Sequence, residues 1–326
     1  MNYKIAIIDM GTNTFHLLLA EVKDKSQFII IYRDHVPVKI GKGGINHGYI
    51  TEEGIERALS ALLGFKEVID KHEIRSVHAF GTSALRSAAN CDEVLERIKS
   101  ATGIDAKIIS GEVEAEYIYH GVRCALDVGQ EKALMIDIGG GSVEFIIGND
   151  HEIFWKVSLE IGAQRLLETF HKHDPIQEDE LQKLGEYFEQ KLDPLFEALR
   201  IHPTKVIIGV SGTFDTLSDI FCIRESIAKD EANPETPLAI EGFLSIYEDL
   251  IRKNRKERMQ IPGMIEMRVD MIVVAVCLIE HIISRHTFEV IRVSSYSLKE
   301  GVIASYLKSL ETSEFTGLKG GFNSAM

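Results

Sequence analysis

The sequence predicts an α/β protein made of two similar halves that face each other across a cleft. Three observations carry this. The stretch 135–148, MIDIGGGSVEFIIG, reads as an apolar strand ending in Asp137, a tight turn of Gly139, Gly140, Gly141 and Ser142, and a second strand that begins around Glu144. The stretch 7–20, IIDMGTNTFHLLLA, repeats the pattern, so that Asp9 matches Asp137, Gly11 matches Gly139 and Thr14 matches Ser142 at an offset of 128. The same offset sets Gly81 on Gly209 and Ser83 on Ser211, in GTSA and GVSG. Two motifs in one register point to an internal duplication. Each half then runs βββαβαβα, and strand ends and Gly turns from both would line the cleft, the usual ligand position in such sheets.

The elements follow in order. Residues 3–9, 14–22 and 26–33 are β-rich runs joined by short gaps, a three-stranded meander. Residues 34–50 read as a loop with four glycines. Thr51 fits as the N-cap of a helix over 52–71, with Glu52 and Glu53 in its first turn and Ile55, Leu59, Leu62, Leu63 and Ile69 at helical spacing. A strand at 76–80 ends in GTSALR, followed by a helix at 91–101, a strand at 106–110 and a helix at 112–123. In the second half, strands are expected at 132–138, 143–148 and 152–158, helices at 162–171 and 177–200, and a strand at 205–210 ending in Ser211-Gly212-Thr213. A helix at 213–223, a polar loop at 229–237, helices at 240–253 and 268–285, a strand at 288–294 and a helix at 297–310 complete the chain. The expected domains are 1–124 and 125–311, with the last helix packing back on the first domain, and 312–326 as a flexible Ser/Gly-rich tail.

Composition narrows the function. The 326 residues carry 45% hydrophobic and 26% charged side chains, as in ordinary globular chains, and a net charge of −14. A broad basic face for nucleic acid is therefore not expected. An acidic protein can still bind a polyanion through a local site of N–H groups, metal and a few Arg or Lys. Cys91, Cys124, Cys222 and Cys277 are scattered without a CxxC pair, so free thiols in a reducing compartment are expected, not zinc or disulfides. The start, MNYKIAIID, has no signal-peptide pattern. The apolar stretch 269–284 holds Asp270, Glu280 and His281 and is too short and polar to span a bilayer. A cytoplasmic protein is expected, with no membrane partner.

The hairpins suggest phosphate chemistry. Glycines lack Cβ, so their N–H groups can approach an anion closely. An ordinary hairpin would need the same glycines, so the second copy is what gives the reading weight. Two Gly/Ser/Thr turns can clamp a phosphate chain from both sides. Asp9, Asp137 and Glu144 are placed to hold Mg²⁺ directly or through water, since Mg²⁺ takes carboxylate, water and phosphate oxygens. Arg86, just past a strand end, offers either a bidentate phosphate bond or a domain salt bridge. Phosphoryl transfer to water needs a group to orient or deprotonate that water. Glu112, Glu114 and Glu116, in SGEVEAEY, are candidates, although acids in a first helical turn also simply answer the helix dipole. The basic run RKNRKER, 252–258, reads as a solvated helix end, with a guide for a polyanion as the alternative.

These residues resemble the exopolyphosphatase/guanosine-pentaphosphate phosphatase family of the acetate kinase–sugar kinase–actin superfamily. The likeness runs from Ile5 to about Leu307. It is carried by IDMGTNTFHLL (8–18), GTSALRSAAN (81–90), IISGEVEAEYIYHGV (108–122), MIDIGGGSVEFIIG (135–148), IGAQRL (161–166), RVD (268–270) and VSSYSLKEGV (293–302). The resemblance implies two duplicated ribonuclease H-like (actin-like ATPase) domains of mixed sheets flanked by helices, with the active site between them. It implies Mg²⁺-dependent release of terminal phosphate from inorganic polyphosphate or guanosine pentaphosphate, and a homodimer. The family's catalytic glutamate falls on Glu114. Its phosphate-binding loops fall on Gly11, Thr12, Asn13 and Thr14, on Gly139 to Ser142, and on Ser211, Gly212 and Thr213, and its binding arginine on Arg86.

The chain departs from the family at His16, where arginine is frequent, at Val113, at Ser211 in place of a glycine, and at Phe214, where a smaller residue is usual. Its length matches the short two-domain form, and processivity on long polymers is not implied. Two other readings share the fold: a kinase transferring an ATP phosphate to a small acceptor, and a guanosine-phosphate sensor that keeps the clamp without needing Glu114.

Overall fold

The computed structural model describes residues 3–24, 27–230 and 232–316, with side chains to residue 309. The first half holds β1 (Tyr3–Met10), β2 (Phe15–Val22), β3 (Phe28–Val36), α1 (Glu52–Lys71), β4 (Ser76–Gly81), α2 (Ser83–Arg86), α3 (Cys91–Thr102), β5 (Ala106–Ile108) and α4 (Gly111–Ala125). The second holds β6 (Ala133–Ile138), β7 (Val143–Gly148), β8 (Ile153–Leu159), α5 (Ala163–Phe170), α6 (Glu178–Lys191), α7 (Asp193–Ile201), β9 (Val206–Val210) and α8 (Ser211–Arg224). It continues through β10 (Glu235–Leu238), α9 (Ile240–Arg252), α10 (Arg255–Arg258), α11 (Ile272–Arg285), β11 (Val290–Ser294) and α12 (Leu298–Thr316).

The two sheets repeat one topology. The first has the order β3-β2-β1-β4-β5 and the second β8-β7-β6-β9-β11-β10. In both, an antiparallel meander is continued by two parallel strands, and the second sheet adds β10 as an antiparallel edge strand. Asp9 lies opposite His16 in the first hairpin and Asp137 opposite Glu144 in the second, so the hairpin repeat is true in space. The second motif is not in one register throughout. Asp9 pairs with Phe80 and Asp137 with Val210, an offset of 130, while the helices that follow begin at Ser83 and Ser211. The difference arises because Val210, opposite Asp137, leads directly into α8 at Ser211, at φ 66°, whereas Gly81 and Thr82 lie between Phe80, opposite Asp9, and α2.

Side-chain alternation explains the layers. Along β1, Ala6, Ile8 and Met10 face one core with Ile55, Leu62 and Phe65 of α1, while Ile5 and Ile7 face another. That second core includes Ile118, Tyr119 and Val122 of α4, Leu298, Val302 and Ile303 of α12, and Met135, Ile146 and Ile208 of the second sheet. α4 and α12 therefore form a shared middle layer between the sheets. A third core, on the far side of the second sheet, is closed by α5 to α9 and α11.

α1 and α4 start where their caps place them. The Thr51 hydroxyl accepts from the Gly54 N–H at 3.2 Å, and the Ser110 hydroxyl from the Val113 N–H at 3.3 Å. The expected helix over 177–200 is two helices, broken between Lys191 and Asp193, with Pro194 opening the second. The segment expected as a loop at 229–237 contains β10, an edge strand that tolerates Pro237 because its partner lies on one side only. The helix expected from 268 begins at Ile272. The final helix runs on to Thr316, so the expected tail at 312 starts too early; residues 317–326 lie outside the described residues. Among the described residues, no helix is long and apolar enough to cross a membrane.

Candidate active site

The two hairpin turns meet across a cleft of about 270 Å³ between the sheets. The contact is close: a Cβ on Gly140 would overlap the Asn13 side chain, and one on Gly141 would lie 2.6 Å from the Thr12 hydroxyl. Only glycine fits there. The carbonyls of Gly139, Gly140 and Gly141 accept from the N–H groups of Ala163, Gln164 and Gly162 at 2.9, 2.8 and 3.1 Å. Those of Thr12 and Asn13 accept from Gly41 and Lys39 at 3.1 and 2.8 Å. Tying the carbonyls behind the loops leaves the N–H side for the cleft, the arrangement an anion needs.

The expected site residues largely converge. Asp9, Gly11, Thr12, Asn13, Thr14, Glu114, Asp137, Gly139, Gly140, Gly141, Ser142, Glu144, Ser211 and Gly212 all line the cleft. Thr213 is buried one residue deeper and is not in its wall. Arg86 stands outside the lining, and both ends of its guanidinium are engaged. Its Nη1 donates to Glu114 Oε2 at 2.8 Å and to the Ile109 carbonyl at 3.2 Å, and its Nη2 to Glu160 Oε1 at 3.0 Å. The salt-bridge alternative for Arg86 thus describes the structure.

Burial dominates the electrostatics. It pushes the Asp9 carboxyl up to about 6, with the charge of Asp137 adding and that of Lys299 opposing. Burial also raises Asp137, against the hydroxyl of Ser211, which donates to its Oδ2 at 2.7 Å. Glu114 and Glu144 are both raised by burial, each facing a further carboxylate, while the Arg86 ion pair holds Glu114 back. Ser158 Oγ donates to Glu144 Oε1 at 2.6 Å. These four acids are crowded together in a low-dielectric space, where a cation or a proton is favoured.

The donor set suits Mg²⁺ in one particular way. Among the described residues, no three His, Cys, Asp or Glu side chains close into a metal-sized cluster. Asp9, Asp137 and Glu144 therefore do not form an all-protein cage. Their oxygens are hard donors, the type Mg²⁺ takes alongside water and phosphate.

The cleft also contains groups that the sequence reading did not select. Lys299, at the start of α12, and Arg268 both line it, as do Asp215 and His35. Arg268 Nε is buried with no hydrogen-bond partner among the described residues, and its guanidinium packs against Gly212, where a Cβ would overlap it. Burial lowers its basicity, with Asp215 and Asp137 opposing. The signal was present: Arg268 and Lys299 lie inside RVD and VSSYSLKEGV.

The departures find places too. His16 lines the cleft, and burial, together with the charges of Lys299 and Arg268 and His35 beside it, holds its imidazole well below its usual range, hence neutral. Phe214 points away from the cleft into the core, lying on Gly209. Most of the basic run 252–258 is engaged: Arg258 is buried against Asp174 and two carbonyls, and Arg255 bonds to Asp270 and Glu266. Those cations hold the structure together, which leaves little of a polyanion guide.

Comparison with known proteins accords with this geometry. The family model for the Ppx/GppA phosphatases matches residues 18–310. The chain is similar to a crystal structure of an exopolyphosphatase from Cytophaga hutchinsonii, at 44% identity and TM-score 0.91, covering 94% of this chain and 98% of that one. It is similar to a Ppx/GppA family member from Aquifex aeolicus, at 26% identity and TM-score 0.77, covering 95% and 99%. Exopolyphosphatase 1 of Mycobacterium tuberculosis is 25% identical over 307 residues, 94% of this chain and 89% of that protein. The two-domain, actin-like architecture is shared with these structures. The chain belongs to the Ppx/GppA phosphatase family.

Proposed function

We propose that the protein removes the terminal phosphate of inorganic polyphosphate by water attack, with Glu114 as the general base. The observation that carries this reading is the facing pair of glycine turns, with their carbonyls tied back and Glu114 buried in the same cleft. The N–H groups of Gly11 to Thr14 and Gly139 to Ser142 hold the terminal phosphates. The Ser211 and Thr12 hydroxyls lie beside them, and Arg268 and Lys299 offset the chain's charge.

Arg86 fixes one oxygen of Glu114, leaving the other to take the proton of the attacking water. The water oxygen bonds to the terminal phosphorus as the bridging P–O bond breaks, and the electron pair leaves with the shortened chain. Asp9, Asp137 and Glu144 would hold Mg²⁺, which when bound supplies charge to neutralise phosphate oxygens. Guanosine pentaphosphate is the second candidate substrate, since its terminal phosphate presents the same anhydride.

The test is phosphate release from long polyphosphate, tripolyphosphate, guanosine pentaphosphate and ATP in parallel, with and without Mg²⁺. Release from polyphosphate that requires Mg²⁺ and is abolished in Glu114→Gln is the expected result. Release of ADP only in the presence of an acceptor would overturn it in favour of a kinase. Tight guanosine pentaphosphate binding with no hydrolysis of any substrate would favour a sensor.

A further inference from the structure

Beside the glycine turns lies a cluster of charges that the chemistry above leaves only partly used. Glu160 stands one residue past β8, with its side chain 43% exposed. Its Oε1 accepts from Arg86 Nη2 at 3.0 Å, and its Oε2 accepts from Arg165 Nη2 at 2.8 Å and from Ser83 Oγ at 2.5 Å. Two guanidinium groups and a hydroxyl thus converge on one carboxylate. Arg86 and Ser83 belong to α2, on the side of the first sheet, and Arg165 to α5, on the side of the second.

The frame is held independently of its occupant. Arg86 is anchored by Glu114 and the Ile109 carbonyl. Arg165 is anchored by the carbonyls of Gly141 at 2.9 Å and Ile45 at 2.8 Å, and by Ser87 Oγ at 2.9 Å. Glu160, by contrast, sits in a bend, half in solvent. With Glu160 rotated away, the preset donors would remain. Guanidinium forks bind phosphate oxygens as well as carboxylate, with added charge in favour of phosphate. The seat also adjoins the second glycine turn, because Arg165 bonds the Gly141 carbonyl and Ser83 lines the cleft.

We propose that Glu160 is a built-in anion that holds the place of an internal phosphate of the substrate chain between Arg86 and Arg165. The proposal rests on the polyphosphate reading above. A chain whose end lies in the glycine turns sends a later phosphate to this seat. Glu160 then swings into solvent, and no covalent bond changes. The cross-link between α2 and α5 persists, made through substrate instead of through protein. Glu160 is therefore a residue of specificity: chains long enough to reach the seat must displace it, and short chains do not meet it.

The test is calorimetric binding to the full chain with Mg²⁺, using long polyphosphate and tripolyphosphate, for wild type, Glu160→Gln and Glu160→Gln/Arg165→Gln. Glu160→Gln is expected to bind long polyphosphate about tenfold more tightly and tripolyphosphate within twofold of wild type, and the double variant to lose the gain. Its KM for long chains should fall, with kcat held within twofold. Equal or weaker binding of long chains by a folded Glu160→Gln would overturn the proposal, as would the same gain for both chain lengths. If Glu160→Gln does not fold, Glu160→Asp keeps the charge on a shorter arm and should bind long chains more tightly than wild type; unchanged or weaker binding overturns the proposal. Tighter binding without phosphate release by either protein would sink the hydrolase reading and leave the seat standing. Phosphate release without the affinity gain would do the reverse.

Discussion

Glu114 has two opposing neighbours, and its chemistry follows from their balance. Burial and the nearby Glu144 favour its protonated form, while Arg86 favours the carboxylate. A base must be deprotonated to work. The acid limb of kcat/KM should therefore lie above the ordinary carboxylate range, with activity lost as pH falls through it; a limb near pH 4 would show that the cleft does not raise this group. Glu114→Gln keeps the shape and the Arg86 contact but removes the base. It should lower kcat by roughly 10²–10⁴-fold with little change in KM, measured by phosphate release. Asp137→Ala and Glu144→Ala should instead shift the Mg²⁺ titration to higher concentration. Unchanged titrations in both would remove them from the metal site.

The sequence showed Asp9, Asp137 and Glu144 because each sits at a strand end or beside a turn, where local pattern marks it; at the start of α4 that pattern left Glu112, Glu114 and Glu116 open, and only the family resemblance fell on Glu114. Glu160 meets Arg86, and Arg268 and Lys299 reach the cleft, only when distant segments close. A one-dimensional reading could place them in motifs but not in contact. Arg86 is the clearest case. Its position past a strand suited phosphate, and only the fold showed the two carboxylates already on it.

At the scale of elements, the crossing of α4 with α12 is as tight as backbones allow. A Cβ on Gly121 would overlap the Ser297 carbonyl, and one on Gly301 would overlap the Tyr117 carbonyl. Since α4 carries Glu114 and α12 carries Lys299, this crossing sets both groups against the cleft. Gly301→Ala or Gly121→Ala must push the helices apart and should destabilise by about 2–3 kcal/mol or more, read by denaturant unfolding. Activity should fall in the same variants even where they fold, because Glu114 and Lys299 would shift.

Neither glycine stood out in the sequence, where a single Gly inside a helix is only a weak propensity penalty. Strands and capped helices were legible because their signals are periodic or local. β10 was not, since Pro237 argues against a strand unless its edge position is known. The break before α7 was overlooked for a related reason: Pro194 is at home in a first turn, so it reads either as a start or as nothing.

For the whole molecule, the acids of the cleft tie stability to pH and metal. Asp9, raised to about 6 in the fold from an ordinary 3.8, binds its proton more tightly folded than unfolded. The stability this contributes is present in full at low pH and is lost as pH rises through the folded value, about 3 kcal/mol for a shift of two units. Without metal, the melting temperature should therefore fall between pH 4 and pH 7. A cation bound among these carboxylates removes the penalty, so the rise in melting temperature on adding Mg²⁺ should be larger at pH 8 than at pH 5. Equal shifts at both pH values would argue that Mg²⁺ does not bind among them. The duplication at this scale was written in the chain twice over, and the sheet orders repeat it. The two-residue slip at β9 was invisible because the turn that causes it depends on the left-handed backbone of Ser211.

The shared middle layer has a consequence for how the chain is made. One face of the first sheet, with Ile5, Ile7 and Leu18, is covered by α4 and by α12, the last element among the described residues. When the ribosome has finished α4 at Ala125, about 170 residues remain before Leu298, Val302 and Ile303 emerge to complete that layer. At translation speeds of about 5–20 residues per second, that apolar face waits on the order of ten seconds or more in the growing chain. A nascent protein built this way has an early half that needs shelter until α12 is released, and a truncation before residue 298 should be found with chaperones or in aggregates rather than as a folded half.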